Sequence, residues 1–223
     1  MPMIEFPRPD GSSCSGYYAS AGARKPSVIV LQEWWGLNPH IQDITERFAI
    51  AGYNALAPDL YHGRIAQNID EARHMMDGLD FTGATTQDIQ GAVTYLQAQS
   101  DNPKVGIVGF CMGGVLVITS AAYLDSLSAG VCFYGPPKDA SDPAKIHIPL
   151  QGHFASRDNW CTPAVVDEME KTMTATGNPP EFYRYEADHA FFNRTRPAVY
   201  DSEASDLAWK RMLEFFHKHL SQK

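Results

Sequence analysis

The chain has 223 residues, 44% of them hydrophobic and 20% charged, an ordinary balance for a globular protein with a sizeable buried core. A formal net charge of −8, with no lysine or arginine cluster, excludes a general nucleic-acid binder. No apolar run approaches a bilayer span. The opening Met1-Pro2-Met3-Ile4-Glu5-Phe6 lacks the charged and apolar regions of a secretion signal. The expected setting is the cytoplasm, with reduced thiols and neither membrane nor nucleic acid as a partner. The four cysteines (Cys14, Cys111, Cys132 and Cys161) are widely spaced, with no CxxC and no Cys/His cluster, so no disulfide framework and no metal site are expected. With no linker, low-complexity tract or repeat, one domain over residues 1–223 is the simplest organisation.

Two short extended runs in residues 3–19, split by Pro7-Arg8-Pro9-Asp10-Gly11-Ser12, predict a β-hairpin at a sheet edge. Ser27 to Leu31 is a continuous β-branched run, the mark of a strand buried on both faces. The next helix has Asn38 as its cap, Pro39 in its first position, and Ile41, Ile44, Phe48 and Ala51 on one face, with Gly52 suited to its C-terminal end. Tyr53 to Pro58 reads as a strand. Residues 69–79 and 85–99 read as helices, the second with Ile89, Ala92, Val93 and Leu96 on one face. Strand 105–109 and helix 112–123 follow, then strands from Ala129 to Tyr134 and from Ile148 to Phe154. A helix from Pro163 to Thr176, capped by Thr162, precedes a strand from Glu181 to Tyr185. A final helix carries Leu207, Ala208, Met212, Phe215 and Phe216. This alternation predicts an α/β fold, a mostly parallel sheet with helices on both faces.

The segment Val105-Gly106-Ile107-Val108-Gly109-Phe110-Cys111-Met112-Gly113-Gly114 passes from strand through a tight turn into a helix, with Cys111 in a Gly-x-Cys-x-Gly pattern. That is the context of a nucleophile elbow, with sulfur in place of the commoner serine oxygen. Glycines two residues to either side leave room for the strained turn. The helix N-terminus favours a thiolate and supplies N–H groups for an oxyanion.

A cysteine nucleophile needs a base, and the base an orienting acid. His189, after the strand 181–185, and Asp158, after the strand 148–154, fit the chain order nucleophile, acid, histidine. Asp188, adjacent to His189, is a rival orienter. His153, inside a strand, and His217 and His219, in the last helical turns, read as structural. Glu33 ends an apolar strand, between Gln32 and Trp34-Trp35, and reads either as a buried acid in a local ion pair or as a second acid/base group facing the thiol. The backbone N–H groups of Trp34 and Met112 are the expected oxyanion donors.

These pieces resemble the dienelactone hydrolase family. The resemblance rests on Val30-Leu31-Gln32-Glu33-Trp34-Trp35-Gly36-Leu37, Ala57-Pro58-Asp59-Leu60-Tyr61, Val108 to Gly114, Tyr134-Gly135 and Asp188-His189-Ala190-Phe191, in order over nearly the whole chain. It implies an α/β-hydrolase fold and a cysteine hydrolase that opens an enol lactone, dienelactone to maleylacetate, in degradation of chlorinated aromatics. It implies a triad of Cys111, Asp158 and His189, and Glu33 as a carboxylate that holds the resting thiol neutral until substrate displaces it and it takes the thiol proton. It implies no metal and no organic cofactor. The substrate would be a small lactone or ester with an anionic group, and the protein a monomer or small homo-oligomer. In the family two arginines hold the substrate carboxylate. Here Arg194 stands one residue from the place of the first, and Ile69 occupies the place of the second, which leaves Arg73 or Arg64 to substitute. Trp34 and Trp35 would make the pocket mouth bulky. A broader carboxylesterase or thioesterase is the alternative reading, and a non-enzymatic scaffold with a redox-sensing or structural Cys111 is a third.

Overall fold

β5 (Val105–Phe110) shows how the apolar runs of this sequence become structure. All six of its residues are buried, and they point alternately into two cores. Val105 and Ile107 face one side of the sheet, Val108 and Phe110 the other. β3 (Ser27–Leu31) divides the same way, with Ile29 and Leu31 opposite Val28 and Val30. A strand wetted on neither face has no position for a polar residue, hence the unbroken hydrophobic run.

The computed structural model describes residues 3–221. Its eight strands form one sheet in the order β1-β2-β4-β3-β5-β6-β7-β8. β1 (Met3–Pro7) and β2 (Ser13–Ala19) are the expected edge hairpin, and β2 also pairs antiparallel with β4 (Asn54–Pro58). Every other pairing is parallel, through β6 (Ala129–Phe133), β7 (Leu150–Ala155) and β8 (Glu181–Tyr185). Helices α1 (Pro39–Ile50) and α7 (Ser202–Leu220) cover one face through Ile41, Ile44, Phe48, Ala208, Met212 and Phe216. The other face is covered by α2 (Ile69–Asp77), α4 (Gln90–Ala98), α5 (Met112–Tyr123) and α6 (Pro163–Ala175). The fold is the α/β class the alternation predicts. Among the described residues, no helix is long and apolar enough to cross a membrane.

Asn38 and Thr162 cap their helices as expected: the Asn38 side chain accepts from the N–H groups of His40 and Ile41, and that of Thr162 from Val165. Three local expectations need correction. Ala51 is exposed beyond the end of α1, because the helix closes at Ile50 and Gly52, at φ +95°, turns the chain away. Leu207 is exposed on α7, one position off the buried stripe through Ala204, Ala208 and Met212. The helix read over 85–99 begins after one short turn, α3 (Phe81–Gly83), as a π-helical stretch, Ala84–Ile89.

Candidate active site

In a parallel sheet the carboxyl ends of the strands share one edge, and sites form there. Glu33 follows β3, Cys111 β5, Tyr134 β6, Asp158 β7 and His189 β8. Glu33, Cys111 and His189 line one cavity of about 390 Å³, together with Trp34, Trp35, Arg73, Met76, Asp77, Trp160, Ala190 and Arg196.

Cys111 stands between β5 and α5 at φ 55°, ψ −115°, a backbone conformation that costs a residue with a Cβ about 1–3 kcal/mol. The turn holds because its neighbours nearly touch. A Cβ on Gly109 would collide with the backbone of Gly113, and one on Gly113 would lie 2.6 Å from the Leu31 carbonyl oxygen. The sequence pattern and the strain therefore have one cause, a turn too tight for side chains on either flank. Tyr134 (φ 40°) and Ala190 (φ 64°) are also left-handed, so three of the four non-glycine residues with positive φ among those described belong to this site. Burial, then the charge of Glu33, pushes the Cys111 thiol well above its ordinary pKa; the backbone N–H groups of Met112 and Trp34 bear on the sulfur and oppose the rise.

Asp158 is buried and both of its oxygens are engaged. Oδ1 accepts from the N–H groups of Trp160 (2.8 Å) and Cys161 (2.9 Å), and Oδ2 lies 2.6 Å from His189 Nδ1. This places the imidazole proton on Nδ1 and leaves Nε2 as the proton acceptor. The ring is held edge-to-face between Tyr134 (centroids 5.1 Å apart) and Trp160 (5.4 Å). The rival acid, Asp188, instead takes the Arg157 guanidinium at 3.0 Å. His153 is a core histidine, bound to Tyr185 and Gln151 at 2.8 Å each, with burial pushing its pKa down to about 3.

Glu33 is buried and accepts from Asn193 Nδ2 (2.5 Å) and the Tyr134 hydroxyl (3.4 Å). Burial raises its pKa; the amide of Asn193 and, less strongly, the charge of Arg196 pull the other way. Asn193 went unread in the sequence. Its only signal is its place four residues after His189, and its partner is 160 positions away.

The arginines divide. Arg73 lines the cavity, as do Trp34 and Trp35. Arg194 does not: its guanidinium is paired with Asp43 at 2.5 Å and half exposed. Arg64 lines a separate cavity with His62 and Asp88. A second cation facing the site is Arg196, which also sits over the Trp35 ring at 5.6 Å. The cause is a tight turn. Asn193 Oδ1 accepts from the backbone N–H and hydroxyl of Thr195, and the Arg196 N–H returns to the Asn193 carbonyl, which sends Arg194 and Arg196 to opposite sides.

Comparison with known proteins agrees with this architecture. The dienelactone hydrolase family profile matches residues 15–220. Protein usf of Aquifex pyrophilus is 33% identical over 98% of this chain and 99% of its own length. A protein of Aquifex aeolicus, provisionally named a carboxymethylenebutenolidase, is 32% identical over 98% of both chains. The structure of a provisionally named dienelactone hydrolase from Klebsiella pneumoniae superposes with a TM-score of 0.88 at 28% identity, over 98% of this chain and 99% of that one. The chain belongs to the dienelactone hydrolase family and is a hydrolase of carboxylic esters or lactones.

Proposed function

We propose that the chain is a cysteine hydrolase of small enol lactones, with Cys111 as nucleophile, His189 as base and Asp158 as its orienter. The observation that carries this reading is the 2.6 Å His189–Asp158 contact beside a strained cysteine that lines the same cavity. The resting thiol is neutral, since burial and Glu33 disfavour its ionisation. When substrate enters, the thiol proton passes to His189 Nε2, with Glu33 as a second acceptor whose burial raises its affinity for a proton. Sulfur attacks the carbonyl carbon, and the oxyanion takes hydrogen bonds from the Met112 and Trp34 N–H groups. The ring C–O bond breaks, the leaving oxygen receives the proton, and a thioacyl enzyme remains. Water then attacks, giving its proton to His189. The C–S bond breaks, sulfur recovers a proton and the acid departs.

Arg73 and Arg196 are the cations available to an anionic group on the substrate. A neutral ester or thioester is the second reading, favoured by the apolar lining of Trp34, Trp35, Met76 and Trp160 and by Asp77 in the same wall. The test is the loss of ultraviolet absorbance of dienelactone with wild type and Cys111→Ala, beside cleavage of a neutral aryl ester. Loss of the lactone that vanishes in the variant supports the first reading. Cleavage of the ester alone, through Cys111, supports the second.

A further inference from the structure

The fourth strained residue, His62 (φ 50°), lies away from the catalytic cavity, and it marks a second cluster of chemically capable groups. Cys14 on β2, His62 in the loop after β4 and Asp88 in the π-helical stretch offer a sulfur, a nitrogen and an oxygen, all within 4.8 Å of one another. The sequence hides this. The three residues are 48 and then 26 positions apart, and only the hairpin, the β4 loop and the π-turn bring them together.

Three features set the cluster apart from a chance meeting of polar groups. First, His62 is exposed but fixed: Asp59 accepts from the N–H groups of Tyr61 (3.2 Å) and Gly63 (2.6 Å), clamping the backbone on both sides of it. Second, Asp88 is buried, 3% exposed, and its Oδ1 has no aligned donor. Arg8 Nε lies 3.2 Å away, yet it too lacks an aligned acceptor, so the two meet as charges and not as a hydrogen-bonded pair. Asp88 sits in a π-helical turn, a distortion that is frequent at functional sites. Third, the buried Cys14 thiol meets the carbonyls of Ser15 (3.3 Å) and Asp59 (3.9 Å) only weakly and shares its proton with the Asp88 carboxylate, so sulfur and oxygen already face each other. A cavity of about 350 Å³, lined by His62, Asp88, Arg8, Arg64 and His74, gives access from solvent.

We propose that Cys14, His62 and Asp88 form a three-ligand site for a thiophilic divalent transition metal of the zinc class, separate from the hydrolytic cavity. A thiolate ligand disfavours magnesium and calcium, and one sulfur, one imidazole and one carboxylate suit a tetrahedral ion with a fourth, open position. Bonds of about 2.0–2.3 Å place tetrahedral ligand atoms roughly 3.3–3.8 Å apart, so the widest separation closes by about 1.0–1.5 Å, a shift the exposed His62 ring can make while its backbone stays clamped. On binding, the Cys14 thiol releases its proton to solvent as the sulfur–metal bond forms, and the Asp88 carboxylate turns from Arg8 to the ion. Arg8 is therefore a built-in competitor for the same oxygen.

Cobalt(II) is the probe, because a thiolate-bound ion absorbs in the near ultraviolet and a tetrahedral one in the visible. Reduced Cys111→Ala protein is titrated, which removes the catalytic thiol as an alternative ligand. The expected result is a sulfur-to-cobalt band that saturates at about one equivalent per chain. It should be lost in Cys14→Ser and Asp88→Asn, and tighten about tenfold in Arg8→Gln, where the competing cation is gone. His62→Asn keeps a residue tolerant of positive φ at an exposed position, so it tests the site even where a buried variant fails to fold; cobalt affinity should fall at least tenfold. In the Cys111 background, Cys14→Ser without metal should hydrolyse ester at the unsubstituted rate. No sulfur-to-cobalt band, or cobalt affinity unmoved by both His62→Asn and Arg8→Gln, would overturn the proposal.

Discussion

Asp158→Asn changes almost no volume, yet the hydrogen bonds around it predict a large kinetic effect. Two backbone N–H groups, of Trp160 and Cys161, converge on Oδ1. The amide oxygen of an asparagine must stay there, since turning its NH2 toward two donors would lose both bonds, at about 1 kcal/mol each and more for the donors left unpaired. The NH2 then faces His189 Nδ1, where the carboxylate oxygen had been at 2.6 Å. Nδ1 can only accept from it, so the imidazole proton moves to Nε2. A ring protonated on Nε2 can give a proton to a leaving oxygen but cannot take one from the thiol or from water. The same tautomer error in serine hydrolases costs about 10⁴ in kcat. A thiol is more acidic than a hydroxyl, so about 10³-fold is expected here, some 4 kcal/mol of barrier. Steady-state hydrolysis of an aryl ester measures it. A kcat within tenfold of wild type, in folded protein, would refute the reasoning.

Glu33→Gln should flatten the dependence of thermal stability on pH. Burial raises the Glu33 pKa, so the native state binds the proton more tightly than the unfolded one, and stability falls as pH climbs from the ordinary carboxylate value through the raised native one. Thermal midpoints measured across the acid-to-neutral range should lose that fall in the glutamine variant; an unchanged slope would show that Glu33 titrates normally. Arg196→Ala should raise KM about tenfold for an anionic lactone and leave a neutral aryl ester unaffected, whereas Arg194→Ala, whose guanidinium is held by Asp43, should change neither. Equal effects of both substitutions would contradict the division of the loop. Cys111→Ser should fold normally and lose most activity, since a hydroxyl ionises far less readily than a thiol; full activity would show that Glu33 and His189 can activate oxygen as well. Cys111→Gly should melt above Cys111→Ala by about 2–4 °C, because glycine relieves a backbone held at φ 55° by about 1 kcal/mol net of its entropy cost. The reverse order would mean that the turn stores no strain.

What could be read in the sequence was whatever one short segment decides. β3 and β5 carry their burial in unbroken apolar runs, Asn38 and Thr162 cap the helices they precede, and Gly109 and Gly113 mark a turn with no room for a Cβ. The edge at which Glu33, Cys111, Asp158 and His189 gather follows from chain order in a parallel sheet. What stayed hidden depends on turns and distant pairs. Arg194 and Arg196 are equivalent by composition, and only the Asn193–Thr195 turn decides which faces the cavity. Asn193 binds Glu33 from the far end of the chain. Cys14, His62 and Asp88 come from three elements with no shared spacing. Leu207 failed for a simpler reason: the buried face of α7 runs through Ala204, Ser205, Ala208, Met212, Phe215 and Phe216, and Leu207 lies outside it.

The central claim is that Cys111 carries the acyl group, and intact-mass measurement of acid-quenched protein tests it most directly. Protein mixed with a slow aryl ester should gain the mass of one acyl group, on the peptide that contains Cys111, and Cys111→Ala should gain none. An acyl group on another residue, or hydrolysis that continues in Cys111→Ala at the wild-type rate, would contradict the account.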